Sequence, residues 1–153
     1  MKIMILAILF VGVVGLALSN VSAADNTYKT GKIYFKYNGD KKYPSSEFSK
    51  NLDKKTEVFG FYNYPRNINS QHPANFMQIG IDGKMTKSYS QYKPSFKPSK
   101  ITVFFKKTSN GKTSYSSKSF TKFSPNEGYG YSISYSPKNN FQPNYAIVYY
   151  KKI

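Results

Sequence analysis

Hydrophobic and polar side chains alternate with a period of two along much of this chain. In residues 32–37, Ile33, Phe35 and Tyr37 are separated by lysine or tyrosine, and residues 129–135 alternate in the same way. Successive side chains of a β-strand point to opposite faces, so this alternation predicts strands with one buried and one wet face. Denser apolar runs predict strands that are covered on more than one side, at residues 58–64, 101–105 and 145–150.

Turn residues separate these strand candidates. Asp82-Gly83 and Asn110-Gly111 each lie between two of them, and both dipeptides favour the positive φ angles of a type I′ hairpin turn. Asn38-Gly39 predicts a further turn after the first strand. Helical periodicity is weak, and Phe48 with Leu52 predicts only a single helical turn.

Short strands with regular turns predict an all-β protein. The expected architecture is an antiparallel β-sandwich of the immunoglobulin-like type, with a small β-barrel as the alternative. Fifteen tyrosines and twelve phenylalanines supply enough apolar area for a core, although the chain has no cysteine for disulfides.

The first residues predict an export signal. Lys2 precedes an unbroken apolar run over residues 3–18, and Val21-Ser22-Ala23 provides the small side chains of a cleavage site. We therefore expect a cleaved signal peptide at 1–23 and a single secreted β-domain at 24–153, with no transmembrane span after cleavage. An uncleaved anchor is the alternative, but the run is shorter than the ~20 residues of a membrane span. The absence of cysteine favours a secreted bacterial protein over a disulfide-stabilised eukaryotic one.

The charge predicts an anionic partner. The formal net charge is +16, and only Arg66 among the 23 basic residues is an arginine. Lysine is a hydrated point charge, which suits diffuse attraction better than paired recognition of base edges. We therefore expect non-specific electrostatic binding to an anionic polymer or cell surface and no sequence-specific nucleic acid. The alternative is that the lysines serve only solubility.

One segment concentrates this chemistry. Residues 84–100 contain five lysines and no acid, and they include the tandem repeat Tyr92-Lys93-Pro94-Ser95 and Phe96-Lys97-Pro98-Ser99. Aromatic rings interleaved with lysines fit sugars, bases or lipid surfaces that carry phosphates. The alternative is a stiff connection between two sheets. The predicted contact residues are Lys84, Lys87, Tyr89, Tyr92, Lys93, Phe96, Lys97 and Lys100.

Catalysis has little support in the composition. His72 is the only histidine, lies beside Pro73 and has no nucleophile motif around it. Glu57 and Glu127 form the only glutamate pair on plausible strand ends, as an enzyme using carboxylates would need. We expect a non-catalytic protein without cofactor or metal. A secreted antimicrobial or membrane-active toxin is the second alternative, since positive charge and tyrosine also suit attack on an anionic membrane.

Overall fold

The described chain is built from strands. The computed structural model describes residues 26–67, 72–126 and 129–153, so the predicted signal peptide at 1–23 lies outside the described residues. The strands, β1 to β11 in chain order, are Thr27–Lys29, Ile33–Tyr34, Lys36–Tyr37, Ser45–Asn51, Thr56–Asn63, Phe76–Gly83, Phe96–Ser109, Lys112–Phe120, Ser124–Pro125, Gly130–Tyr135 and Gln142–Lys152. Within these ranges no helix is long and apolar enough to cross a membrane.

The strands form two sheets in which every pairing is antiparallel. Sheet I has the order β1-β11-β7-β8, with β2 also paired to β11, and sheet II has the order β3-β4-β5-β6-β10-β9. The prediction of an all-β antiparallel protein is confirmed. Both strand orders have free ends, so the described strands fit a sandwich and not a closed barrel.

A single core lies between the sheets. The inward side chains of both sheets form one buried cluster, made of Ile33, Ile101, Val103, Phe105, Ala146 and Val148 from sheet I and Phe48, Val58, Tyr62, Met77, Ile79 and Ile81 from sheet II. Full burial of a large aliphatic or aromatic side chain stabilises the fold by about 1.5–3 kcal/mol, so this cluster is the main stabilising element. The dense runs at 58–64, 101–105 and 145–150 lie in β5, β7 and β11 as predicted.

Two local predictions are wrong. Residues 32–37 are not one strand, because the chain leaves sheet I after β2 and enters sheet II at β3. Tyr37 is consequently 54% exposed and not buried. Phe48 lies in strand β4 and not in a helical turn, because it pairs with Gly60 of β5. Its ring packs against Phe35 with the centroids 4.8 Å apart.

The predicted turns have different outcomes. Asn110 and Gly111, with φ of 51° and 74°, connect β7 to β8 as expected for a hairpin. Gly39, with φ of 77°, follows β3 in the predicted turn. Asp82-Gly83 is not a turn: both residues belong to β6 and pair with Glu57 and Thr56. The carbonyl of Tyr92 occupies the position that a Cβ at residue 83 would take, so this glycine permits close packing.

Candidate functional site: the cationic face of sheet I

Charged residues are divided unequally between the two sheets. The strands of sheet I contain nine lysines and no acidic residue. The strands of sheet II contain two lysines and three acids. The remaining acids of the described chain, Asp40 and Asp53, lie in the loops between strands of sheet II. Sheet I is therefore a source of positive potential that no carboxylate of its own strands neutralises.

Strand alternation places part of this charge on one surface. Because Ile101, Val103 and Ala146 point into the core, the side chains between them point away from it. We call this outward surface the cationic face. It comprises Lys29, Lys32, Tyr34, Lys97, Lys100, Phe104, Lys106, Tyr115, Tyr145, Tyr149 and Lys151.

One part of the cationic face is a tyrosine between two lysines. Tyr149 lies on the central strand β11, with Lys29 opposite it on β1 and Lys100 opposite it on β7. The Nζ of Lys100 lies 4.2 Å from the centroid of the Tyr149 ring, and the Nζ of Lys29 lies 5.5 Å from it. These cation–π contacts hold both ammonium groups against the sheet. Two fixed cations beside one ring attract an anion that can reach both.

The other part is a row of aromatic rings across three strands. Tyr145 stacks on Phe104 with centroids 4.5 Å apart, and Tyr34 lies 5.2 Å from Tyr145 on the other side. The Nζ of Lys32 lies 4.9 Å from the centroid of the Tyr145 ring. Tyr34 is 50% exposed, so the row presents ring surface to solvent. Such rings can pack against the apolar faces of sugars or bases while lysines bind the acidic groups.

The segment predicted from the sequence is divided by the structure. Residues 84–95 form a loop that connects β6 of sheet II to β7 of sheet I, which agrees with the alternative interpretation of a connection between sheets. Backbone hydrogen bonds join Tyr92 to Lys84 at 2.9 Å and Thr86 to Ser90 at 2.7 Å. Tyr89 lies at the tip with φ of 58° and is 89% exposed, and Lys87 and Lys93 are also exposed.

The two halves of the tandem repeat have different structures. The half that begins at Tyr92 is loop, whereas Phe96, Lys97 and Pro98 belong to β7 and pair with β11. Lys97 and Lys100 both lie on the cationic face, because an irregularity in the pairing beside Ser99 preserves the outward direction on either side of it.

Phe96 does not join them. Its ring packs on the opposite side of the sheet against Tyr28 and Tyr150, at 5.6 and 5.1 Å between centroids. Burial raises the pKa of Tyr150, and Tyr28 and Asp53 add to the effect. The structure therefore unites Lys97 and Lys100 with residues from other strands and separates them from Phe96 and from the loop residues Lys84, Lys87, Tyr89, Tyr92 and Lys93.

Nine residues of the cationic face were not predicted as contacts: Lys29, Lys32, Tyr34, Phe104, Lys106, Tyr115, Tyr145, Tyr149 and Lys151. The sequence did place Lys32 on the wet face of a strand, and alternation was the available signal. The pairing of β11 with β1, β2 and β7 brings most of these residues together from distant parts of the sequence, and the β7–β8 hairpin adds Tyr115.

The remaining candidates from the sequence are His72 and the pair Glu57 and Glu127. The His72 ring lies between aromatic rings, 4.8 Å from Phe61 and 6.0 Å from Phe76 between centroids. Glu127 lies outside the described residues, and Glu57 instead faces Asp82 across the strand pair β5–β6. In the described ranges no group of three or more histidine, cysteine or acidic residues is placed to bind a metal.

No protein-family model, curated protein sequence or solved structure matches this chain. Function is therefore inferred from the geometry and charge of the cationic face.

Proposed function

We propose that this protein is a secreted, non-catalytic binding protein that adsorbs to an anionic polymer through the cationic face. The arrangement of Lys29 and Lys100 about Tyr149 carries the proposal, because it fixes two positive charges beside an aromatic ring on a sheet whose own strands contain no acid. The apolar run at residues 3–18 and the small residues after it support the proposal of secretion.

Lysine is the appropriate cation for such a surface. Its ammonium group attracts phosphate or carboxylate from any direction, whereas the planar guanidinium of arginine selects a paired geometry. An extended polymer presents its charges in many registers, so a row of lysines can bind it without a unique alignment. Binding of this kind releases counterions and weakens steeply as salt rises.

A pair of charge-matched variants tests the proposal. Lys29→Glu/Lys100→Glu changes the cationic face, and Lys36→Glu/Lys50→Glu makes the same change in net charge on sheet II. The affinities of both variants and of wild type for polyphosphate and for polygalacturonate are measured over a range of salt concentrations. At roughly 1 kcal/mol per lysine, we expect the first variant to bind at least ~30-fold more weakly and the second to remain close to wild type.

Equal weakening in both variants would contradict the proposal, because net charge and not the cationic face would then determine binding. Anionic vesicles loaded with dye provide a second measurement. Adsorption without leakage is expected of a surface binder. Leakage at adsorbing concentrations would favour the membrane-active toxin instead.

We also propose that the sandwich is of the immunoglobulin-like type. The pairing of β6 with β10, with the β7–β8 hairpin of the other sheet between them in sequence, supports a Greek-key connection. Main-chain contacts between β6 and β10 in solution would test the crossover, and pairing of β6 with β7 would contradict it.

A further inference from the structure

A cleft at one end of the sandwich contains the only arginine of the chain. Its volume is about 700 Å³, within the range of small-molecule sites. It is lined by residues of β3 and β5, by the segments that follow them and by the start of β11; these are Tyr37, Lys41, Pro44, Tyr62, Tyr64, Pro65, Arg66, Asn140 and Gln142. The cleft is separate from the Lys29–Tyr149–Lys100 arrangement, since about 20 Å of strand β11 lies between Gln142 and Tyr149.

Three tyrosines form a fixed wall of the cleft. The ring of Tyr64 packs edge-on against Tyr37 and Tyr62, with centroids 5.6 and 5.0 Å away. The Tyr62 hydroxyl donates a hydrogen bond to Oδ1 of Asn75 at 2.9 Å, and Asn75 in turn donates to the carbonyl of Pro137 at 2.7 Å. Burial raises the pKa of Tyr62 to about 12, so its hydroxyl stays protonated. The wall is thus preorganised.

Positive charge is held at the mouth of this cleft. A turn closed by the Asn67 amide, which donates to the Tyr64 carbonyl at 2.9 Å, carries the exposed Arg66. Lys41 is the second cation, and no acidic residue belongs to the described lining. The neighbouring Asp40 is directed elsewhere, because its Oδ1 accepts hydrogen bonds from the amides of Lys42 and Tyr43 at 2.8 and 3.0 Å. These bonds lower the pKa of Asp40.

A buried hydroxyl lies beside the same wall. Ser46 is directly opposite Tyr37 on one side and Tyr62 on the other, so its side chain shares their face of sheet II. Its Oγ is buried and has no hydrogen-bond partner among the described residues. An unpaired buried hydroxyl is costly and therefore uncommon. It lies between the two strands that carry Tyr37 and Tyr62 of the wall.

We propose that this cleft binds an acidic sugar unit, that is, a pyranose ring bearing a carboxylate or a phosphate. The Arg66 guanidinium matches such a group with two parallel hydrogen bonds, and Lys41 adds charge. The tyrosine rings pack against the carbon face of the sugar. The amides of Asn140 and Gln142 donate to and accept from its hydroxyl groups. Neither the cationic face nor polymer adsorption is needed for this binding.

Titration with small ligands tests the site directly. The probes are galacturonate, glucose 6-phosphate, glucose and inorganic phosphate, followed by isotope-edited NMR of the tyrosine rings and the Arg66 Nε–H group. We expect at least one acidic sugar to shift both signals at concentrations up to roughly 10 mM. Glucose and inorganic phosphate should each bind at least ~10-fold more weakly. Comparison of the two acidic sugars then identifies carboxylate or phosphate as the preferred group.

Variants assign the contacts. Arg66→Gln should weaken binding of the acidic sugar at least ~10-fold, and Arg66→Lys should recover only part of it because lysine lacks the planar fork. Both variants are at an exposed position, and circular dichroism checks their folding. Lys29→Glu/Lys100→Glu is the control and should bind the acidic sugar like wild type, even though its polymer affinity falls.

Three results with the sugars and the variants would each overturn the inference. They are the absence of any shift with both acidic sugars, equal affinity for glucose, and unchanged binding in Arg66→Gln. Binding of inorganic phosphate as tight as that of glucose 6-phosphate, without shifts at the tyrosines, would also overturn it and leave a simple anion site. Because the control variant separates the two surfaces, loss of polymer adsorption does not affect the outcome.

Discussion

The two sheets share an architecture and a core, but their outward surfaces differ. On sheet I the outward Lys29, Lys32 and Lys100 contact aromatic rings, and the strands of this sheet contain no acid. On sheet II the outward polar groups bond to one another: Gln78 donates to Ser132 at 3.0 Å, Ser132 donates to Asn126, and Asn126 donates to Asp82 at 2.6 Å. A surface whose polar groups are mutually satisfied is suited to stability, whereas a surface of unneutralised cations is suited to binding.

The two sheets also differ in the glycine content of their strands. The strands of sheet I contain none, whereas the β6–β10 pair of sheet II has Gly80 opposite Ser132 and Gly130 opposite Asp82. A Cβ at residue 80 would lie 2.1 Å from the carbonyl oxygen of Tyr131. The missing side chains allow the two strands and their polar network to approach closely. Sheet II therefore has little room for larger side chains at these positions, and sheet I has more.

The largest expected effect tests this difference in packing. Gly80→Ala places a methyl group against backbone, which cannot move aside as a flexible side chain can, so we expect a loss of about 3 kcal/mol in the free energy of unfolding. Ser117→Ala, at an exposed position of sheet I opposite Phe104, is the comparison and should change stability by less than about 0.5 kcal/mol. Urea denaturation measures both. Similar midpoints would show that the two sheets tolerate change equally.

An intermediate effect tests which lysines belong to the binding surface. Lys97→Glu/Lys100→Glu alters the cationic face, and Lys87→Glu/Lys93→Glu alters the loop that connects the sheets, with the same change in charge. We expect the first variant to bind polyphosphate ~10-fold more weakly than the second, because its lysines share a face with Lys29 and Lys151. Salt-dependent retention on a polyphosphate resin measures this difference.

The reverse order would assign the binding surface to the loop around Tyr89, which contains five of the eight residues predicted from the sequence. Thermal unfolding of both variants is the control. All four side chains reach solvent, so neither midpoint should move far from that of wild type.

The smallest expected effect concerns the acidic residue Asp82 in the polar network of sheet II. Burial raises the pKa of Asp82. The hydrogen bond that Asn126 donates to it lowers the pKa in part, and the charge of Glu57 raises it further. A raised folded-state pKa gives stability that is complete below the ordinary value of 3.8 and is lost as pH rises through the folded value. Asp82→Asn removes this loss of stability at higher pH and keeps an oxygen acceptor for the Asn126 amide. The variant should therefore be slightly more stable than wild type at pH 7, by less than about 1 kcal/mol given solvent screening.

Thermal unfolding at pH 7 and at pH 3 checks the sign. The advantage of Asp82→Asn should disappear at the lower pH, where Asp82 of wild type is also neutral. A variant that is less stable than wild type at pH 7 would show that the ionised carboxylate stabilises the network of sheet II.

Local patterns predicted the strands better than they predicted which residues share a surface. The Asn110-Gly111 turn and the strands around Val58, Ile101 and Val148 follow from backbone preference and alternation, which neighbouring residues determine. Asp82-Gly83 carries the same turn chemistry as Asn110-Gly111, yet it continues a strand because β10 and the Tyr92 carbonyl pack against it. The repeat is a second example of a local pattern that does not predict a shared surface, because Phe96 and Lys97 are neighbours in it but point to opposite faces of the sheet.

The sequence by itself determined an all-β chain, its strong positive charge and the near absence of arginine, because these follow from composition and from a period of two. Only the tertiary structure decided where the charge is concentrated. Lys29, Lys100 and Tyr149 are far apart in sequence and become neighbours only when β1 and β7 pair with β11. Likewise, Arg66 lies in a cleft only because the ends of β3 and β5 and the start of β11 meet at the same edge of the sandwich. Long-range strand pairing decides such neighbours, and no local preference of the chain specifies it.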